Sequence, residues 1–131
     1  RVVDQAAGEW NIDAAHQLLT GMSDGGTFSY VLGLRDGCRF THIAPVAAAF
    51  HPMMLTFADD NRLRGLPIYI VHGVQDWMFP PELARQAEQT LGAAGARVTY
   101  REVADLSHTY PRDENGAMLD WFGVTHAPLP R

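Results

Sequence analysis

The chain has 131 residues, the size of one domain, and its 47% hydrophobic and 19% charged residues describe an ordinary folded protein with a core. Its net charge of −5 carries no basic stripe, which argues against nucleic acid as a partner, and the single cysteine excludes a disulfide-stapled scaffold. The apolar runs fall far short of the roughly 20 residues that a membrane span requires. No signal peptide is visible, which favours a cytoplasmic location. The first residues, from Arg1, resemble the end of a helix, so we expect this sequence to be part of a longer protein.

Strand-like and helix-like segments alternate along the chain, with turn residues between them. This alternation predicts an α/β domain with a parallel sheet of about four strands and flanking helices. In chain order we predict a helix over Val2–Trp10, a strand over His16–Thr20, a helix over Ser23–Leu34, a strand over Arg39–Ala49, a strand over Pro67–His72, a helix over Pro81–Leu91, a strand over Arg97–Val103 and a helix over Asp113–Phe122.

Residues 1–131 are interpreted as one domain. Two stretches of it lack a clear hydrophobic period. Residues 50–66 contain a proline and a polar centre, and we expect an irregular insertion there, a candidate for a reduced lid. Residues 123–131 are expected to form a loose tail. The clearest helix, over Pro81–Leu91, is expected to bury the apolar face formed by Leu83, Ala84, Ala87 and Leu91.

The stretch GMSDG, residues 21–25, fits the pattern G-x-S-x-G between a strand and a helix. A serine at the tip of such a sharp turn has strained backbone angles, so we expect Gly21 and Gly25 to be required by crowding, and Gly26 to let the helix pack closely. The helix N-terminus below Ser23 also offers free N–H groups to an oxyanion. A glycine-rich turn kept for packing is the alternative, and a phosphate-binding loop is a weaker one because the chain has no lysine.

A nucleophilic serine needs a base, and the base needs a carboxylate to orient it. Asp76 lies just past the strand PIYIVH, and His108 lies just past the strand RVTYREV. The carboxyl ends of parallel strands meet at one edge of a sheet, so we expect Ser23, Asp76 and His108 to converge there. The alternatives are that Asp76 caps the following helix, that His108 is an ordinary loop histidine, or that Asp105 takes the orienting role.

The other histidines carry no metal signature. No H-E-x-x-H pattern or Cys/His cluster is present, so His42, His51 and His72 are interpreted as structural, and neither a metal nor a cofactor is predicted.

The segments GMSDGG, PIYIVHGVQDWMFPPELA and SHTYPRDENGAMLDWF resemble the α/β-hydrolase family, and most of all its small carboxylesterases of the phospholipase/carboxylesterase or dienelactone-hydrolase type. The resemblance covers nearly the whole chain as the C-terminal half of that fold. It implies Ser23 as nucleophile, His108 as general base and then acid, Asp76 as the group that fixes the imidazole tautomer, and the backbone N–H of Asp24 as an oxyanion donor. It also implies a substrate pocket beside three further residues: Trp77, Met78 and Phe79.

The chain departs from the family in having no counterpart of the fold's N-terminal strands or of the HGG-like turn that supplies a second oxyanion donor. The strand ending at Thr20 is internal in that fold, and here one of its edges would lack a partner. We therefore expect a homo-oligomer, or a companion chain that carries the first half.

Together these features predict a serine carboxylesterase that cleaves small to medium acyl esters through an acyl-enzyme. Aryl esters, thioesters, lysophospholipids and polyester fragments all remain open as substrates. The alternatives are a non-catalytic or weakly active half of a split hydrolase, and an α/β module that only binds a small ligand.

Overall fold

The computed structural model describes residues 1–123 and arranges four strands in one sheet with helices on both faces. The helices are α1 (Val2–Glu9), α2 (Asp24–Gly33), α3 (Asp60–Leu63), α4 (Pro81–Ala93) and α5 (Asn115–Phe122); the strands are β1 (Leu18–Met22), β2 (His42–Val46), β3 (Pro67–Gly73) and β4 (Arg97–Val103). The 3₁₀ turns Pro52–Phe57 and Arg112–Glu114 precede α3 and α5.

The sheet has the order β1-β2-β3-β4, and every neighbouring pair is parallel. All four strands therefore end at the same edge of the sheet, and the segments that follow them meet there. The α/β class with about four parallel strands and flanking helices, predicted from the alternating pattern, is confirmed.

The core lies on both faces of the sheet because successive strand residues point to opposite sides. Ile43, Ile68 and Ile70 pack with α2 and α4 on one face, and Tyr69 and Val71 pack toward α5 on the other. The predicted apolar face of α4 is buried at three of its four positions, namely Ala84, Ala87 and Leu91, whereas Leu83 is only partly covered.

Strand boundaries differ from the predicted ones at β1 and β2. β1 begins two residues later than expected and runs on to Met22, so that Ser23 follows it directly. β2 is much shorter than Arg39–Ala49, because Ala47 adopts a φ of 47° and leaves the extended conformation after Val46. The last helix also begins later than expected, at Asn115.

Residues 50–66 are more regular than the predicted insertion. His51 accepts a hydrogen bond from the N–H of Met53 at the start of the 3₁₀ turn, and Asp59 accepts one from the N–H of Arg62 at the start of α3. The two capped segments have six and four residues, too few to show a hydrophobic period in the sequence. Of the tail predicted over residues 123–131, residues 124–131 lie outside the described part of the chain.

Among residues 1–123, β1 pairs only with β2, so the other side of β1 has no partner strand there. We call this side of the sheet the β1 edge. Apolar side chains are well exposed on α1, on the loop after it and on α2: Val2, Trp10, Ile12, Phe28 and Val31. Within the same residues, no helix has both the length and the apolar character needed to cross a membrane.

Candidate active site

Ser23 occupies the sharp turn between β1 and α2. Its backbone has φ 58° and ψ −119°, a conformation that costs free energy in a residue with a side chain. The turn is held because the N–H of Ser23 donates to the carbonyl of Val46 (2.9 Å), and its carbonyl accepts from the N–H of Thr27 (2.9 Å). The strained serine therefore stands at the carboxyl edge of the sheet, on a turn that both neighbouring elements support.

The glycines around Ser23 have different roles. A Cβ on Gly21 would lie 2.5–2.9 Å from backbone atoms of Gly25, and a Cβ on Gly26 would lie 2.7 Å from the Cβ of Ala48. A Cβ on Gly25, in contrast, would meet nothing within 4 Å. The expectation that crowding requires Gly25 is therefore wrong, because the close contact is made by its backbone; crowding acts at Gly21 and Gly26.

Asp76 lies in the turn after β3, and its side chain is 0% exposed. Its Oδ1 accepts hydrogen bonds from the N–H groups of Met78 (2.9 Å) and Phe79 (2.8 Å). Burial by itself raises the pKa of Asp76, but the hydrogen bonds from His108 and from these two N–H groups outweigh it and hold the pKa below its usual 3.8. The carboxylate is therefore ionised near neutral pH.

His108 is brought over the sheet by a close approach between two loops. The carbonyl of Leu106 accepts a hydrogen bond from the N–H of Gln75 (3.0 Å), and a Cβ on Gly73 would overlap the backbone of Leu106. Only glycine at the end of β3 therefore leaves room for the chain that carries His108.

The imidazole of His108 joins Ser23 to Asp76. Its Nδ1 lies 2.8 Å from Oδ2 of Asp76, and its Nε2 lies 3.0 Å from Oγ of Ser23. Because a carboxylate only accepts, Nδ1 carries the proton in the neutral ring and Nε2 is free to accept the serine O–H. The structure thus brings together the three residues that the sequence singled out, and the carboxylate bonded to His108 is that of Asp76 rather than Asp105. Such an arrangement can move a proton from a hydroxyl to an imidazole.

The remaining predicted site residues surround this arrangement. Asp24 is the first residue of α2, so its N–H has no carbonyl one turn earlier within the helix. The rings of Trp77 and Phe79 meet His108 edge-on, with centroids 5.9 and 5.4 Å away, and Trp77 is 74% exposed. Met78 is also exposed and contributes its backbone N–H to Asp76.

From the sequence, His72 is interpreted as a structural histidine and is not assigned to this site. The side chain is buried below the Asp76 turn, and its Nε2 lies 2.8 Å from the carbonyl oxygen of Phe79. The spacing of four residues from His72 to Asp76, across a strand end, is the signal that could have linked them. His42 lies at the other end of the sheet, stacked on His16, and His51 caps the 3₁₀ turn.

Among residues 1–123, no group of three or more His, Cys, Asp or Glu side chains is arranged to hold a metal ion.

The known proteins that this chain resembles include several that are named as esterases. No protein-family model matches the chain. It is 31% identical over 117 residues to the bifunctional acetylxylan esterase/xylanase XynS20E of Neocallimastix patriciarum, a match that covers 88% of this chain and 16% of that protein.

Solved structures with the same fold include Arabidopsis thaliana SOBER1 (TM-score 0.72, 21% identity, 93% of this chain and 58% of that one) and the Bacillus cereus carboxylesterase (TM-score 0.71, 18% identity, 92% and 55%). A third is MGS-M1, an alpha/beta hydrolase enzyme from a Medee basin deep-sea metagenome library (TM-score 0.67, 16% identity, 82% and 46%). The described residues therefore form a partial α/β-hydrolase fold, as the sequence resemblance implied, and the chain spans about half the length of these structures.

The two motif glycines offer a matched test of crowding at the turn. We expect Gly21→Ala to destabilise the protein, because its methyl group would overlap the backbone of Gly25. Gly25→Ala should be neutral or stabilise by up to about 1 kcal/mol, since alanine is the better helix former. Urea unfolding measures both free energies, and equal effects would contradict this account of the turn.

The lowered pKa of Asp76 predicts an acid-dependent loss of stability. The ionised carboxylate stabilises the fold above its usual pKa of 3.8, and this contribution is lost as the pH falls through the lower folded pKa. When the pH falls from about 5 to about 2, the free energy of unfolding should therefore decrease less for Asp76→Asn than for the wild-type protein. Urea titrations at several pH values measure the difference, and parallel curves for the two proteins would exclude this contribution.

Proposed function

We propose that this chain carries the reacting groups of a serine carboxylesterase that cleaves small to medium acyl esters. The observation that carries the proposal is the hydrogen-bonded path from Oγ of Ser23 through His108 to Oδ2 of Asp76, with distances of 3.0 and 2.8 Å. A serine on a strained strand-to-helix turn, within reach of a base held by a buried carboxylate, is the arrangement that acyl transfer requires.

The reaction would proceed in two halves. Nε2 of His108 takes the proton of Ser23 as Oγ attacks the acyl carbon, and then gives that proton to the departing alcohol, leaving an acyl-enzyme. In the second half, Nε2 takes a proton from water as the water oxygen attacks the acyl carbon, and then gives that proton to Oγ of Ser23 as the bond to the acyl carbon breaks and the acid leaves. Asp76 stays ionised throughout and stabilises the imidazolium that forms in each half.

The N–H of Asp24 is the proposed donor to the negatively charged oxygen of the intermediate. It lies at the N-terminus of a ten-residue helix, whose dipole also favours a negative charge there. Oxyanion sites commonly use two donors, and removing one costs about 10²–10³-fold in rate. Because a second donor is not assigned among the described residues, we expect slow turnover from this chain by itself.

The proposed substrate pocket lies beside Trp77, Met78 and Phe79. The departing alcohol must be close to His108, which protonates it, and the rings of Trp77 and Phe79 contact this imidazole. These rings would thus meet the alcohol side of the ester. The similarity to an acetylxylan esterase supports an O-acyl ester as the substrate class. Residues 50–66, which follow β2 at the same edge of the sheet, remain our candidate for a small lid.

A weakly active half that needs more polypeptide is the second candidate function. It is favoured by the β1 edge, which no strand covers among residues 1–123, and by the fact that the chain spans 58% of SOBER1 and 55% of the Bacillus cereus carboxylesterase. We propose that a companion chain or a second copy covers the β1 edge. An exposed strand edge with apolar side chains nearby favours pairing with another strand.

Labelling with a fluorophosphonate probe tests the hydrolase proposal. The wild-type protein should be labelled at Ser23, and Ser23→Ala or His108→Ala should abolish labelling because nucleophile or base is lost. Ser29→Ala is the matched control, since this serine lies on α2 and donates to the carbonyl of Gly25. Peptide mass spectrometry locates the adduct, and labelling that survives Ser23→Ala would end the assignment.

Light scattering tests the pairing of the β1 edge. We expect a mass above that of one chain, or a complex with a companion, and Thr20→Lys should weaken the assembly by about tenfold or more because an edge lysine opposes strand pairing. Thr99→Lys is the control, because this exposed threonine lies on β4, the opposite edge strand. A monodisperse monomer with full ester turnover would exclude both the assembly and the half-protein.

A further inference from the structure

His72 is a buried polar side chain that the reaction outlined above does not use. It is the second-last residue of β3 and is only 1% exposed. Its Nε2 lies 2.8 Å from the carbonyl oxygen of Phe79 and 3.3 Å from Oδ2 of Asp76. A carbonyl only accepts, so Nε2 must carry a proton and donate it to Phe79.

This hydrogen bond closes the turn that carries Asp76. The N–H of Phe79 donates to Oδ1 of Asp76, while the carbonyl of the same residue accepts from His72. Phe79 is therefore fixed on both sides of its backbone, and its ring rests against His108. Through this one residue, His72 supports both the carboxylate and the imidazole that the carboxylate holds.

The position of Nε2 also suits an ionised Asp76. The proton on Nε2 brings partial positive charge close to Oδ2, the same oxygen that accepts from Nδ1 of His108. The side chain of Asp76 is completely buried, and a carboxylate removed from water needs polar hydrogens around both of its oxygens. The N–H groups of Met78 and Phe79 donate to Oδ1 of Asp76. Nδ1 of His108 and Nε2 of His72 lie beside Oδ2.

We propose that His72 is a positioning residue: its Nε2–H holds the turn at Phe79, and thereby keeps the Asp76 carboxylate aimed at Nδ1 of His108. This inference rests on the proposed hydrolase function for its effect on rate, but the geometry it describes can be measured without turnover. It differs from a packing role, in which any side chain of similar volume would serve.

Three substitutions at His72 distinguish the effect of its hydrogen-bond donor from the effect of its side-chain volume. His72→Gln can present an N–H near the position of Nε2, His72→Asn can present one only near Nδ1, and His72→Leu fills space without a donor. The readouts are the low-field proton resonance of His108 Nδ1–H, the rate of fluorophosphonate labelling at Ser23, and the thermal midpoint.

We expect His72→Gln to keep the low-field resonance and to label within about fivefold of wild type. His72→Leu and His72→Asn should lose or broaden the resonance and label about 10²-fold more slowly, because a small misplacement of a supporting group has effects of this size. His42→Gln and His42→Leu are the matched controls at the far end of the sheet, and should change the thermal midpoint without changing the labelling rate.

A folded His72→Leu protein that keeps both the resonance and the labelling rate would overturn the proposal. Should His72→Leu fail to fold, equal behaviour of His72→Gln and His72→Asn would overturn it as well. If the wild-type protein shows the resonance but is not labelled, the hydrolase proposal fails, and the comparison of resonances among the variants still decides the role of His72.

Discussion

The hydrogen bond between His108 and Asp76 depends on how closely two loops can approach at the end of the sheet. Asp76 belongs to the turn after β3, and His108 to the loop after β4, so the strand register brings their backbones side by side. Gly73 then lets the second loop lie directly over the first, where Leu106 accepts the N–H of Gln75. A side chain at Gly73 would lift the loop, and the imidazole with it, away from the carboxylate.

Much of this arrangement could be predicted because it depends on local patterns. The β-branched and aromatic run over Pro67–His72 and the apolar face of α4 are visible in the sequence, and strand direction then puts Ser23, Asp76 and His108 at one edge. The G-x-S-x-G pattern also matches the strained turn that the structure has at Ser23.

What could not be predicted depends on contacts between distant segments or on single turns. The motif indicates the close packing at Gly26 but not that a side chain at Gly25 would meet nothing within 4 Å, which depends on how α2 leaves the turn. The short turns within residues 50–66 are stabilised by His51 and Asp59 as caps rather than by a period. His72 looks like any other buried strand residue until the turn beyond it folds back over its ring.

The sheet order has a consequence for when the site can exist. Ser23 and His108 are 85 residues apart in the chain and follow the two outermost strands, so their hydrogen bond closes a long loop across the whole sheet. Contacts of such wide separation form late, since the entropy of closing the loop opposes them until the intervening strands have paired. During synthesis on the ribosome, a nascent chain that has emerged only as far as α4 would hold Ser23 and Asp76 but not His108, so the three side chains could not meet until the loop after β4 had followed.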